Sequence, residues 1–209
     1  MSESRALLVV ATSNKGKLAE YRELFAGLPV RILSVSDVLG REVDVVEDGD
    51  TYAENARKKA VAVAGATGLL TLADDSGLEV DLLGGGPGVR SARYAGDGAT
   101  SSERVEKLLR ELGNASIGNR AARFRCVICV VDPRFGREDV FYANGDCEGF
   151  IGISPRGTGG FGYDPVFFVA GFDRTMAELS SEEKGEVSHR GRAARAIRPD
   201  LERLAKLMI

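Results

Sequence analysis

Two adjacent aspartates, Asp74 and Asp75, follow directly on the apolar run of LLTLADDSGLEV, residues 69–80. Like charges side by side at the end of a buried strand repel, and a bound cation is the simplest compensation. Carboxylate oxygens suit Mg2+, which commonly takes one or two of them together with substrate phosphates. A carboxylate in such a place can also orient or deprotonate water for attack on phosphorus. The structural alternative is a turn opened by Asp74 and closed by Ser76-Gly77, with both acids in water. Successive strand side chains diverge, so the two aspartates are expected to do different work, one facing a cleft and the other supporting it.

Other stretches offer complementary chemistry. ATSNKGKL (11–18) lies where a strand passes into a helix, a place where backbone N–H groups and the helix dipole can hold a phosphate. It is not a Walker A loop, because Ala11 and Leu18 stand where Gly and Ser or Thr are needed. Taken alone, the segment is better explained by a helix cap from Thr12, Ser13 or Asn14 with two solvated lysines. GTGGFGYD (157–164) lacks dinucleotide-binding spacing, yet it sets Phe161 and Tyr163 on a glycine-rich backbone, suited either to stacking on a base or to packing. GGGPG (84–88), followed by VRSARYAG, reads as a turn or a weak phosphate nest. SHRG (188–191) joins the single His of the chain, His189, to Arg190 just before a helix; a capping Ser188 and a surface arginine would account for it. Cys126 and Cys129 have CxxC spacing inside an apparent strand, where side chains three apart face opposite ways. With only Cys147 and His189 as further soft ligands, reduced core thiols are expected rather than zinc.

These residues need a scaffold. LLVVAT (7–12) reads as a buried strand, and Leu18, Tyr21, Leu24, Phe25 and Leu28 recur at helical spacing after it, with Gly27 as a stop. Short apolar stretches follow near 30–35 and 43–46. TYAE (51–54) is a capping box opening an alanine-rich helix to about Ala64, ahead of the strand LLTLA; TSSE (100–103) opens a second helix to about Leu112. ARFRCVICVVD, EDVFYAN and GDCEGFIGI read as three consecutive antiparallel strands separated by turn residues, with VFFVA beyond the glycine-rich loop. Ile197, Leu201, Leu204 and Met208 form a closing helical stripe that Pro199 kinks or restarts. The mixture predicts an α/β fold with a mixed sheet and helices around it.

A chain of 209 residues with 44% hydrophobic content can bury a sizeable core. Its 28 basic against 31 acidic residues leave a net charge of −3, which disfavours broad nucleic-acid or anionic-membrane binding. No apolar run reaches the ~18–20 residues of a membrane span, and MSESR leading into ALLVVATSNKGK shows no cleavage pattern, so a cytoplasmic protein is expected.

Taken together and in this order, VVATSNKGKLAEYRELF, TYAENARKKA, ADDSGLEVDLLGGGPGVRSARYAG, GTGGFGYDPVFF and SHRGRA resemble the inosine triphosphate pyrophosphatase family, almost from end to end. The resemblance implies one domain over residues 1–209, elongated, with a long curved mixed sheet, flanking helices and two lobes with the nucleotide groove between them. It implies Mg2+-dependent hydrolysis of non-standard purine nucleoside triphosphates (ITP, dITP, XTP) to monophosphate and pyrophosphate, by a homodimer. The phosphate-binding segment falls on Thr12, Ser13, Asn14, Lys15, Gly16 and Lys17, with Asn14 and Lys17 holding the triphosphate. The metal site falls on Glu47 and Asp75, with Asp75 also the general base. Lys59 and the supporting Asp74 match polar positions beside metal and phosphates. Ser76, Phe161, Gly162, Tyr163, Asp164, Lys184, His189 and Arg190 match substrate contacts. Two departures stand out: Ser13 where many members carry Gly, and extra acids in EDGDTYAEN around Glu47. Donors from His189, Arg190 or nearby backbone would pair with a purine 6-oxygen and be left unsatisfied, or clash, with adenine. The rivals are a phosphatase with an aspartyl-phosphate intermediate, which lacks its usual Asp-x-Asp here, and a nucleotide-sensing module without turnover.

Overall fold

The computed structural model describes residues 5–135 and 140–209. It holds a six-stranded sheet in the order β2-β1-β3-β4-β5-β6, built from β1 Ala6–Val10, β2 Val30–Ser34, β3 Leu70–Val80, β4 Ala121–Val131, β5 Val140–Ile151 and β6 Phe167–Val169. The first strand pairs in parallel with both β2 and β3, while β5 and β6 are antiparallel, so the sheet is mixed and the fold α/β. Six α-helices accompany it: α1 Lys15–Leu24, α2 Val35–Leu39, α3 Tyr52–Thr67, α4 Ser101–Leu112, α5 Ser181–Val187 and α6 His189–Lys206.

Helix starts follow local chemistry closely. Thr51 and Thr100 cap α3 and α4, each accepting from the backbone of the glutamate three residues on while that glutamate reaches back. Such reciprocal caps satisfy orphan N–H groups and contribute about 1 kcal/mol each. Gly68 closes α3 in the left-handed conformation, φ 67°. That helix therefore runs three residues past the expected Ala64, and Pro199 is accommodated inside α6 without ending it.

Two expectations about strands are corrected. The strand carrying the aspartates does not stop at them; β3 continues through Asp74, Asp75, Ser76 and Gly77 to Val80, with both acids buried, so the solvated-turn reading fails. EDVFYAN and GDCEGFIGI are not two strands, because β5 passes straight through Asn144-Gly145-Asp146. Ala143, Gly145 and Cys147 alternate on its buried face, and Asp146 pairs with Arg125 of β4 at 3.0 Å, so tertiary pairing overrides the turn signal. Glu138 and Asp139 of the first segment lie outside the described residues, as do the first four residues of MSESR. The stretch around 43–46 forms no strand.

The chain divides into two compact units. The first comprises Met1–Asp75, Val127–Asn144 and Ala193–Ile209. Its core sets Val9, Ala11 and Ala73 against the small residues Ala56, Ala60, Val63 and Ala64 of α3. The second comprises Ser76–Cys126 and Gly145–Arg192, with Leu78, Val80, Leu108, Phe124, Ile151, Tyr163 and Phe167 at its centre. The boundaries fall inside β3, β4, β5 and α6. All three cysteines are buried, and burial pushes the Cys129 and Cys147 thiols up to about 11, far from thiolate chemistry at neutral pH. No described helix is long and apolar enough to cross a membrane.

Candidate active site

Strand β1 lies between β2 and β3, so the chain leaves it to one side and returns on the other. Carboxyl ends of parallel strands at such a switch point are where α/β proteins place ligands. The loop after β1 is tied to β3 by the Ala11 N–H, which donates to the Leu72 carbonyl at 2.7 Å. Asn14 then caps α1, its Oδ1 accepting from Gly16 N at 2.8 Å and Lys17 N at 3.2 Å, while Thr12 Oγ1 accepts from Asn14 N. Among the three candidate caps the structure thus selects Asn14. Lys15 and Ser13 are exposed. Lys17 is not a solvated lysine: its Nζ reaches Asp74 Oδ2 at 2.9 Å, where Asp74 is 1% exposed. Breaking such a buried pair leaves an uncompensated charge and costs about 3–5 kcal/mol.

Asp75 takes different partners, as alternation along a strand requires. Its Oδ2 accepts from Asn55 Nδ2 at 3.0 Å, and its Oδ1 lies 3.9 Å from Lys59 Nζ. Lys59, one turn along α3 from Asn55, also donates to Glu47 Oε2 at 2.6 Å. Two other acids near Glu47 are engaged elsewhere. Asp48 pairs with Lys58, and Glu54 Oε2 accepts from the N–H groups of Asp50 and Thr51 within the helix cap. Glu47 is the acid of EDGD that shares a lysine with Asp75.

Electrostatics set these groups apart. Burial raises the Asp75 carboxyl above the usual range, against the opposing pull of Lys59, Lys17 and the Asn55 amide. Burial also penalises the Lys59 ammonium, yet Asp75, Asp74 and Glu47 outweigh it and hold the lysine above its ordinary value. Two carboxylates thus converge on one cationic point. Among the described residues no three His, Cys, Asp or Glu side chains gather into a metal-ligand cluster. That donor set fits Mg2+, which takes one or two carboxylates and fills its remaining positions with phosphates and water.

The second unit gathers the remaining candidates. Asp164, buried, accepts from the Phe161 N–H at 3.0 Å and from Lys184 Nζ at 2.8 Å, locking the glycine-rich loop to α5. Gly160 and Gly162 have positive φ, and a Cβ on Gly160 would come within 2.0 Å of Asp164 Oδ2, so the loop closes only around glycine. The partly exposed Phe161 ring has Lys184 Nζ at 5.2 Å and the Arg190 guanidinium at 5.5 Å from its centroid, within cation–π range. Arg190 is 1% exposed, so its reading as a surface residue is corrected, and one of its nitrogens donates to Ser76 Oγ at 3.1 Å. His189 is buried and stacks on Phe124 with ring centroids 4.7 Å apart. Ser188 caps α6 through the Gly191 N–H, as its residue type suggested. The Tyr163 ring belongs to the core, its hydroxyl donating to the Ser91 carbonyl at 2.9 Å, so of the two loop aromatics only Phe161 presents surface for stacking.

Glu47, Lys59, Asp74, Asp75, Asn14 and Lys17 therefore lie in the first unit; Ser76, Phe161, Gly162, Asp164, Lys184, His189 and Arg190 lie in the second. Sequence reading missed Asn55, which holds Asp75, and Phe124, which carries His189. The signal for Asn55 was present: a poor helix former in the first turn of TYAEN, on the side of the helix that buries Ala56 and Ala60.

Known proteins resemble this chain over most of its length. A model of the Ham1 family matches residues 8–200. A dITP/XTP pyrophosphatase of Geobacter sulfurreducens is 51% identical over 194 residues, covering 93% of this chain and 96% of the relative. One from Shouchella clausii is 48% identical over 196 residues, covering 93% and 96%. A solved HAM1 protein from Coxiella burnetii superposes with a TM-score of 0.83 at 40% identity, covering 95% of this chain and 99% of that one. The nucleoside-triphosphatase / dITP/XTP pyrophosphatase of Mycobacterium abscessus gives 0.71 at 41% identity, covering 92% and 99%.

Proposed function

Because the chain belongs to the Ham1 family, we propose that it hydrolyses non-standard purine nucleoside triphosphates (dITP, ITP and XTP) to the monophosphate and pyrophosphate, removing them from the nucleotide pool. The observation that carries the chemistry is the convergence of Glu47 and Asp75 on Lys59 at the end of β1–β3 pairing. In this reading Glu47 and Asp75 hold Mg2+, which supplies positive charge to the polyphosphate. Asp75 orients water and accepts its proton as the oxygen attacks the α-phosphorus; the α–β bridging oxygen leaves with pyrophosphate.

Lys17 and Lys59 offset phosphate charge, and the Asn14-capped start of α1 turns N–H groups toward an anion. Asp74 keeps Lys17 placed. Little covalent work falls to the protein, so positioning and charge stabilisation supply most of the rate. In the second unit Phe161 stacks on the purine, Lys184 and Asp164 brace that ring, and His189 and Arg190 donate to the 6-oxygen, with Arg190 steadied by Ser76. Adenine presents an amino group there and leaves buried donors unsatisfied. A homodimer in the cytoplasm, without nucleic-acid or membrane partners, completes the proposal; it rests on the family resemblance and on the net charge of −3.

The test is a panel of ITP, dITP, XTP, ATP and GTP with Mg2+, reading both products. The 6-oxo substrates dITP, ITP and XTP should give monophosphate and pyrophosphate with kcat/KM far above that for ATP. Orthophosphate as first product would favour an aspartyl-phosphate route, and no IMP from ITP would favour a sensing module. Equal kcat/KM for ATP and ITP would defeat the base-selection argument.

A further inference from the structure

Asn55 sits in the first turn of α3 and is 1% exposed, an unfavourable place for a helix-interior amide unless its polar atoms are satisfied. They are, and in only one way. Oδ1 accepts from the Gly49 N–H at 2.8 Å, and Nδ2 donates to Asp75 Oδ2 at 3.0 Å, with a longer approach to the Gly49 carbonyl at 3.5 Å. An amide N–H can only donate and an ionised carboxylate can only accept, so the reversed amide would lose both short bonds. Gly49 is fitted to this contact: a Cβ there would meet Asn55 Oδ1 at 2.7 Å and Glu54 Cβ at 2.8 Å. Gly49 follows Glu47 by two residues, and Glu47 reaches the same Lys59 that Asp75 faces. One side chain therefore grips Asp75 with its donor and the backbone of the Glu47 loop with its acceptor.

We propose that Asn55 is a positioning residue for hydrolysis, fixing the Asp75 carboxylate by one oxygen and holding it in register with Glu47. This rests on the reading that Glu47 and Asp75 share the metal and that Asp75 serves as base. With Oδ2 clamped by Asn55, rotation of the carboxylate is blocked and Oδ1 stays turned toward Lys59. Partners of this outer kind typically change metal affinity or activity by about 10–100-fold when lost. Glu54, beside Asn55, is occupied in the helix cap and does not duplicate the role.

Asn55→Asp separates the two halves of the role. It is isosteric and keeps the acceptor for Gly49, but it replaces the donor to Asp75 with a repelling oxygen. With dITP and Mg2+, kcat should fall about 10–100-fold while KM moves much less. The Kd of a non-hydrolysable α,β-methylene dITP analogue, measured calorimetrically without metal, should stay within about threefold, because Asn55 touches no part of the nucleotide in this reading. Wild-type kcat in folded Asn55→Asp would reduce Asn55 to a loop tether and overturn the proposal.

Should the second buried charge prevent folding, Asn55→Ala carries the same readout, with a KM loss equal to or larger than the kcat loss counting against positioning. The exchanged pair Asn55→Asp with Asp75→Asn restores one donor and one acceptor in reversed order. Its Tm should exceed the additive expectation from the two single variants, and strict additivity would deny the pairing. Failure of the wild-type chain to hydrolyse dITP would instead remove the parent reading and leave this stability cycle standing.

Discussion

Two aspartate–lysine pairs of similar burial sit in the two units, and they are built differently. Asp164 and Lys184 meet at 2.8 Å, and the same aspartate oxygen accepts the Phe161 N–H, so this pair braces a loop. Asp75 and Lys59 stand 3.9 Å apart; one aspartate oxygen is held by Asn55, and the lysine is drawn to Glu47 at 2.6 Å. Residue types and exposure barely distinguish them, with side chains 5% and 11% exposed in one pair and 10% and 14% in the other. Spacing does. Asp164 offers one oxygen to both Lys184 and the Phe161 N–H, whereas Asp75 meets Asn55 with one oxygen and faces Lys59 with the other, and that lysine is shared with Glu47. In the proposed reading the residues of the first unit carry the chemistry and those of the second recognise the base.

The comparison breaks most sharply at Asp75. Asp75→Asn should lower kcat about 10³-fold, within the range expected for loss of a general base, while the analogue Kd changes little. Wild-type turnover in that variant removes Asp75 from the mechanism. At the recognition end the effects should be smaller and of another kind. His189→Leu is expected to narrow the dITP-to-dATP ratio of kcat/KM by roughly 5–150-fold, the loss of about 1–3 kcal/mol from one buried donor. An unchanged ratio accompanied by a general loss of rate would place His189 with the chemistry instead. Phe161→Ala should raise KM about tenfold at nearly constant kcat, in keeping with ~1–3 kcal/mol per stacked base; a kcat effect alone would erase the division of labour.

The smallest expected effect is thermal. The raised Asp75 carboxyl means the folded chain holds its proton more firmly than the unfolded chain does. Stability from this group is full below the unfolded value of about 3.8 and is lost as pH rises through the higher folded value. Without nucleotide or metal, Asp75→Asn should therefore raise Tm at pH 7 by on the order of 2–4 °C, with the gain shrinking toward pH 3. A lower Tm at pH 7 would mean that the Lys59 and Lys17 attractions exceed the burial cost.

Much of the scaffold could be read from local pattern. The boxes at Thr51 and Thr100 start helices where they were expected, because a cap is a contact between residues three apart. The Asn144-Gly145-Asp146 break misled for the converse reason: a strand exists only if a neighbour pairs with it, and β4 supplies that neighbour to β5. Arg190 misled similarly, since a guanidinium is ordinarily solvated and its burial depends on Ser76, 114 residues earlier.

By itself the sequence determined the helix caps, the amphipathic helices, the glycines that close the Phe161 loop and the family to which the chain belongs, since each is written in neighbouring residues or in an ordered series of motifs. Tertiary structure alone decided that β3 runs on through its aspartates, that Glu47 rather than its acidic neighbours shares Lys59 with Asp75, and that Asn55 grips Asp75 from 20 residues away. The reason is physical. A cap requires only one turn of backbone, whereas the environment of a buried carboxylate depends on which distant donors and charges the folded sheet and helices bring within about 4 Å, and on how much water they exclude.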